Sequence, residues 1–151
     1  MKQLSLVTAM LLSVVSSAQI NISELDADQS STDNQEFIEL YTTTPNFPLD
    51  GYIVVLFNGS SDLSYKTVNL NGFTTDANGF LILGDTAIPG AEINLGTSGT
   101  IQNGADAVAI YQDAAANFPN GTATTTINLI DALVYGTNDD DDLELLAGLG
   151  E

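Results

Sequence analysis

The run Tyr52-Ile-Val-Val-Leu-Phe57 places apolar side chains at six consecutive positions and is followed by Asn58-Gly59. Because a strand shows its side chains alternately on two faces, such a run predicts a strand that is covered on both faces. The period-two segment Glu36-Phe-Ile-Glu-Leu-Tyr41 and the turn Pro48-Leu-Asp-Gly51 precede it. We therefore expect a strand, a turn, a central strand and a hairpin turn in this order. Such a unit can form the centre of a β-sandwich.

Further strands are predicted along the rest of the chain from alternation or short apolar runs. The predicted strands are 19–26, 36–42, 52–58, 65–70, 80–83, a short edge strand at 92–95, 106–111 and 127–135. Asn-Gly, which tolerates the positive φ of tight turns, occurs at 58–59, 71–72, 78–79, 103–104 and 120–121. These signals favour an all-β, mostly antiparallel fold with little helix, the exception being one or two turns within 139–147.

The first 18 residues have the pattern of a secretory signal peptide. Lys2 is followed by the apolar run Leu4 to Val15, and the small residues Ser16-Ser17-Ala18 suit cleavage after Ala18. The apolar run is shorter than the roughly 20 residues that span a bilayer, so a membrane anchor is disfavoured. We expect a secreted protein with one domain over 19–138 and an acidic C-terminal segment over 139–151.

The residue types that are missing exclude several kinds of site. The chain has no Cys, His, Arg or Trp. This excludes disulfides, Ser-His-Asp and Cys-His nucleophiles, His- or Cys-ligated zinc and arginine phosphate clamps. All 20 acidic residues lie beyond Ala18, where Lys66 is the only basic residue. We therefore expect repulsion from nucleic-acid backbones and anionic membranes.

The order of strand motifs resembles the lamin-tail domain family, in particular its secreted bacterial branch. The motifs are Ser23-Glu-Leu-Asp26, Glu36-Phe-Ile-Glu-Leu-Tyr41, Asp50-Gly-Tyr-Ile-Val-Val-Leu56, Gly79-Phe-Leu-Ile-Leu-Gly84 and Asn103-Gly-Ala-Asp-Ala-Val-Ala-Ile-Tyr111. The resemblance covers Ile20 to Tyr135 and implies an immunoglobulin-like β-sandwich. It also implies a non-catalytic interaction or structural module, of a kind often attached to extracellular enzymes or surface proteins.

The chain departs from the family pattern in two respects, and these limit which properties of the family are expected of it. The basic surfaces with which nuclear lamin tails meet DNA and chromatin have no counterpart here, so nucleic-acid binding is not expected. Bacterial relatives usually continue past Asp131-Ala-Leu-Val-Tyr-Gly136 into a further strand and a Pro-Gly ending. Either the chain is a truncated form, or its sandwich lacks a closing strand and has an exposed edge.

The acidic loop that follows the first predicted strand is the best candidate for a metal site. Asp26, Asp28, Asp33 and Glu36 could supply several of the six to eight oxygen ligands that Ca²⁺ prefers. The Gly and the terminal Glu of an EF-hand loop are missing, so the alternative is a solvated loop whose carboxylates cap turns. Ca²⁺ is therefore the candidate cofactor for this cluster, beside the alternative of a solvated loop that binds none.

Two other acidic segments have simpler interpretations. The run Asp139 to Asp142, with Glu144, favours a solvated segment or a helix start over a metal site. Asp76-Ala-Asn-Gly79 is explained by a hairpin turn, and no ligand is assigned there.

Two strand carboxylates, Glu39 and Asp131, are expected to be partly buried because they alternate in register with apolar residues. We expect backbone N–H donors or an ion to satisfy them, since Lys66 is the only cation nearby in the mature chain. A glycosidase pair would need the two groups to face each other across a cleft, and it is disfavoured because this small domain has no Trp or Arg to position a sugar.

The predicted function is a secreted interaction or structural module without enzyme activity, stabilised by calcium if the acidic loop binds it. Its partner would be an extracellular protein or a glycan. The alternative function is a carbohydrate-binding module, for which Tyr65 and Phe73 would form the exposed aromatic surface.

Overall fold

The structure, a computed structural model, describes residues 20–137, 140 and 142–151. Eight strands and one α-helix are formed by these residues. They are β1 (Ile20–Asp26), β2 (Phe37–Thr42), β3 (Tyr52–Asn58), β4 (Leu63–Asn69), β5 (Phe80–Asp85), β6 (Ile93–Gly96), β7 (Asp106–Gln112), β8 (Leu129–Tyr135) and α1 (Leu143–Leu149), with a short 3₁₀ helix at Ala115–Asn117 before β8.

The strands form two four-stranded sheets that pack face to face. The first sheet has the order β1-β2-β5-β6 and the second the order β4-β3-β7-β8. All neighbouring strands are antiparallel except β5 and β6, which are parallel. The all-β sandwich predicted from the strand and turn signals is thus confirmed. β2 and β3, which follow each other in the chain, lie in opposite sheets.

β3 is apolar throughout because both of its faces are covered. Tyr52, Val54 and Leu56 belong to the cluster between the two sheets, where they meet side chains from β2 and β5. Ile53 and Phe57 belong, with Val55, to a second cluster on the outer face of the second sheet. The prediction of a central strand buried between other elements is therefore confirmed.

The outer cluster is covered by α1 and by the segment around the 3₁₀ helix. Leu145 and Leu149 of α1 are buried against it, as is Phe118. The Asp142 carboxylate caps the helix by accepting a hydrogen bond of 2.8 Å from the Leu145 N–H, and Gly150 ends it in the left-handed region. The helix predicted within 139–147 is found as α1, but it begins later, at Leu143 after its cap Asp142, and it is ended by Gly150 instead of Gly148.

Most predicted strands are found with shifted ends. β8 begins at Leu129 instead of Ile127, and β4 covers Leu63–Asn69 instead of 65–70. The predicted edge strand at 92–95 is β6, an edge strand that pairs in parallel with β5. The predicted signal peptide, residues 19 and 138, and Asp139 and Asp141 of the acidic run lie outside the described residues.

The Asn-Gly pairs serve different purposes in the fold. Gly72, Gly79 and Gly121 adopt positive φ, as tight turns require. Gly59, between β3 and β4, does not. A Cβ at this residue would lie 1.9 Å from the Ala105 carbonyl oxygen, so Gly59 is needed for the close approach of two backbones.

No helix in the described part of the chain has the length and apolar character needed to cross a membrane.

Candidate functional site

One end of the sandwich gathers many of the acidic side chains. At this end β1, β3 and β5 finish while β2 and β7 begin, so the loops between them meet there. We call it the acidic end and define it by the carboxylates of Asp26, Asp28, Asp33, Glu36, Asp62, Asp85, Asp106 and Asp142. Residues 97–105, which connect β6 in the first sheet to β7 in the second, cross this end and are called the Gln102 loop.

Gln102 is held by side chains from three strands of the second sheet. Its backbone N–H donates to the Tyr65 hydroxyl oxygen over 3.2 Å, and its carbonyl accepts from the Tyr135 hydroxyl over 2.9 Å. Its side-chain oxygen accepts a hydrogen bond from the amide of Asn58. Burial raises the pKa of Tyr65 to about 12 and raises that of Tyr135 still further. Both hydroxyls are therefore neutral and keep these contacts at physiological pH.

Glu36 holds the same loop from the first sheet. Its carboxylate is fully buried and accepts hydrogen bonds from the backbone N–H groups of Thr100 (2.7 Å) and Ile101 (3.1 Å). Burial raises the pKa of Glu36, and the charges of Asp85 and Asp33 act in the same direction. The two backbone hydrogen bonds partly oppose this rise.

Asp85 lies directly beside Glu36 and is also fully buried. The Asp85 N–H donates to the Glu36 carbonyl over 2.9 Å, and the Glu36 N–H lies 3.4 Å from Oδ2 of Asp85. Oε1 of Glu36 and Oδ1 of Asp85 are buried without a hydrogen-bond partner among the described residues. Lys66 gives them no counter-charge, since its ammonium group donates to the Leu95 carbonyl over 3.1 Å. Glu36, just before β2, and Asp85, at the end of β5, thus form a buried acidic pair for which residues 20–137, 140 and 142–151 supply no opposite charge.

The remaining predicted calcium ligands have separate contacts. Asp26 accepts a hydrogen bond from the side chain of Gln29. Asp33 accepts from the Gln29 N–H and, over 2.7 Å, from the Asn103 side-chain amide, which is also 3.4 Å from Asp28. These hydrogen bonds, that of Asn103 above all, lower the pKa of Asp33.

A metal ion needs several of these oxygens around one point. Among residues 20–137, 140 and 142–151, no three or more acidic side chains are close enough to hold one. The structure joins Asp28 and Asp33 through Asn103 and directs Glu36 to the Gln102 loop. The calcium site predicted for Asp26, Asp28, Asp33 and Glu36 therefore has no preassembled ligand set in this part of the chain and stays a prediction.

A polar pocket of about 370 Å³ opens at the acidic end beside Gln102. It is lined by Asn58, Gly59, Ser60, Gln102, Gly104, Ala105, Asp106 and Asp142. Oδ1 of Asp106 accepts a hydrogen bond of 2.8 Å from the Gly59 N–H, which fixes the β3–β4 turn against the start of β7. Two carboxylates and two amides around one opening can accept hydrogen bonds from cationic or hydroxyl-bearing groups of a ligand.

The other carboxylates and aromatic residues that the sequence singled out do not line this pocket. Asp131 accepts a hydrogen bond from the Ile22 N–H, as expected for a partly buried carboxylate, and Glu39 accepts one from the Ser23 hydroxyl. Tyr65 and Phe73, the predicted aromatic surface, are only partly exposed and pack against the core between the sheets. Asp76 caps its own turn by accepting from the backbone of Asn78 and Phe80.

Asp85, Asp106 and Gln102 were not among the site residues predicted from the sequence. Asp85 and Asp106 stand at the ends of otherwise apolar strands, Phe80–Asp85 and Asp106–Gln112, and this position was the available signal. Gln102 has no such signal, because its role depends on three strands that are distant in sequence.

Neither protein-family models nor curated proteins match the chain. A proposal about its function therefore depends on the residues described above.

Proposed function

We propose that this chain is a secreted, non-catalytic interaction module of the lamin-tail type and that its acidic end contacts the partner. The partner class that fits best is an extracellular protein with basic groups. The proposal is supported by the two-sheet sandwich, by the motifs that resemble the lamin-tail family and by the construction of the acidic end.

The hydrogen bonds that fix Gln102 give the strongest support for this function. Its N–H, its carbonyl and its side chain are bonded to Tyr65, Tyr135 and Asn58 respectively. A loop that is fixed through the N–H, the carbonyl and the side-chain oxygen of one residue loses little conformational entropy when a partner binds. A rigid loop on a β scaffold is a common form of binding surface.

The charge of this surface indicates the chemistry of the partner. The chain carries 20 acidic residues and 2 lysines, and the pocket beside Gln102 opens between Asp106 and Asp142. Opposite charges on the partner would speed association and orient the complex, with an effect that falls as salt increases.

The contacts of the acidic side chains favour binding over catalysis. Glu36 accepts from the backbone of the Gln102 loop, Asp33 holds Asn103 and Asp106 holds Gly59. These carboxylates are engaged in maintaining loop structure. A general acid or base has to reach a substrate proton instead.

The test compares two variants that carry the same charge change at opposite ends of the sandwich. Ser60→Arg places a bulky cation at the pocket beside Gln102, whereas Thr43→Arg adds one to the exposed loop after β2. Binding of the purified protein to an immobilised lysine-rich peptide is measured by biolayer interferometry at two salt concentrations. We expect salt-sensitive binding that Ser60→Arg weakens much more than Thr43→Arg.

If both variants weaken binding equally, the interaction depends only on the net charge of the protein, and the proposed surface is contradicted. Binding to a panel of immobilised glycans, without binding to the basic peptide, would instead support the carbohydrate-binding alternative. Retention on those glycans should then be tested with Tyr65→Phe, which keeps the ring but removes the hydroxyl.

A further inference from the structure

The five Asn-Gly pairs differ in whether the glycine N–H is engaged. In such a pair the glycine nitrogen can attack the asparagine side-chain amide, because glycine has no Cβ to obstruct the approach. Four of the glycine N–H groups donate hydrogen bonds: Gly59 to Asp106 Oδ1 (2.8 Å), Gly72 to Asp50 Oδ1 (2.9 Å), Gly79 to the Asp76 carbonyl (3.1 Å) and Gly121 to the Ser64 carbonyl (2.7 Å). The Gly104 N–H has no partner among the described residues.

Two features of the asparagine that precedes Gly104 favour this reaction. Asn103 is exposed, so water can reach its side-chain carbon. Its amide nitrogen, which would leave as ammonia, donates to Asp33 over 2.7 Å and lies 3.4 Å from Asp28. Two carboxylates beside the departing nitrogen would stabilise the positive charge that it gains as it becomes protonated.

We propose that Asn103-Gly104 is a site of spontaneous deamidation in the folded protein. The Gly104 nitrogen loses its proton and forms a bond to Cγ of Asn103, while the bond from Cγ to Nδ2 breaks and ammonia leaves. The resulting succinimide ring takes up one water molecule. Opening at one carbonyl yields aspartate at residue 103, and opening at the other yields isoaspartate.

The product alters the contacts of the Gln102 loop. Asn103 now donates hydrogen bonds to Asp33 and Asp28, whereas a carboxylate at this residue has no proton to donate at neutral pH. Three like charges then face one another, which weakens the connection between the acidic loop after β1 and the Gln102 loop. Isoaspartate also lengthens the backbone by one carbon beside Gln102. The reaction would therefore loosen the acidic end as the protein ages.

The reaction can be followed by incubating the purified full chain at mildly alkaline pH. Peptide mapping by mass spectrometry, with detection of isoaspartate, measures the rate at each of the five asparagines. We expect Asn103 to react faster than Asn58, Asn71, Asn78 and Asn120 by about two- to tenfold. This factor corresponds to the free energy of one ordinary hydrogen bond, which the glycine N–H after each of the other four asparagines has to break before it can react. In denaturant the five rates should converge.

Two variants test the cause of the difference. Gly104→Ala should nearly abolish the reaction at Asn103. The fold should tolerate it, because Gly104 does not have positive φ and the closest contact of an added Cβ, 3.3 Å to Asp106 Oδ2, is with a side-chain end that has to shift by only a few tenths of an ångström. Asp50→Ala removes the acceptor of the Gly72 N–H and should speed the reaction at Asn71.

Three results would overturn the proposal. They are an Asn103 rate no greater than those of the other four sites in the folded protein, no reaction at Asn103, and an unchanged rate at Asn103 in Gly104→Ala. An unchanged Asn71 rate in Asp50→Ala would contradict the hydrogen-bond explanation even if Asn103 reacts fastest.

Discussion

The carboxylate of Asp131 on β8 accepts a hydrogen bond of 2.7 Å from the backbone N–H of Ile22 on β1. The two residues belong to edge strands of different sheets. The β1–β2 register shifts between Ile22 and Glu24, so this N–H lies beside an irregularity in the ladder. One side chain thus joins the two sheets along one side of the sandwich and satisfies a backbone donor at the sheet edge.

Removing this carboxylate should destabilise the domain. Asp131→Ala leaves the Ile22 N–H without its acceptor, and we expect a loss of about 1–3 kcal/mol in the free energy of unfolding. Asp131→Asn keeps an acceptor oxygen and should lose less. Urea unfolding measures both, with the exposed Glu24→Ala as the control. Equal losses for Asp131→Ala and Glu24→Ala would show that the contact contributes nothing to stability.

Two of the four leucines of α1, Leu145 and Leu143, allow a matched test of the outer cluster. Leu145 is fully buried and Leu143 is 73% exposed. Leu145→Ala should lower the free energy of unfolding by about 2–5 kcal/mol because it leaves a cavity on the outer face of the second sheet. Leu143→Ala should change it by no more than about 0.5 kcal/mol. Denaturant unfolding of both variants decides whether α1 is part of the cooperative unit, and similar small effects would contradict that.

The buried Glu36 carboxyl should make stability depend on pH. Burial raises its pKa in the folded protein above the unfolded value, so the folded state holds the proton more tightly. Its contribution to stability is fully present below the unfolded pKa and is lost as the pH rises through the folded pKa.

Glu36→Gln isolates this contribution. The amide keeps an acceptor for the N–H groups of Thr100 and Ile101 but carries no charge to bury. In the presence of chelator, the variant should lack the part of the stability loss that the parent shows as the pH rises from acid to neutral. Thermal melts across that range provide the measurement, and parallel pH profiles for parent and variant would refute the prediction.

The response to calcium tests the predicted ligand set directly. Because no three acidic side chains of the described residues are gathered around one point, we expect calcium chloride and sodium chloride at equal ionic strength to raise the melting temperature equally. A larger rise with calcium that disappears in Asp28→Asn would instead establish the site predicted for Asp26, Asp28, Asp33 and Glu36.

Most of the fold was predictable because its signals are local. The apolar run Tyr52–Phe57 and the alternation in Phe37–Thr42 identified strands, since side-chain period depends only on the backbone of the strand itself. The burial of Asp85 and the hydrogen bonds that fix Gln102 were not predictable. Each depends on neighbours from other strands, and no local pattern identifies those neighbours.

Local patterns in the sequence predicted the strand segments, a short helix that follows the acidic run and the acidic character of the chain. The tertiary structure decided how these parts meet. It placed β2 and β3 in opposite sheets, paired β5 with β6 in parallel, directed Glu36 to Thr100 and Ile101, and brought Asp131 to Ile22. The physical reason is that turn and strand propensities act within a few residues. The choice of partner, by contrast, is made by packing and hydrogen bonding between residues up to 109 positions apart.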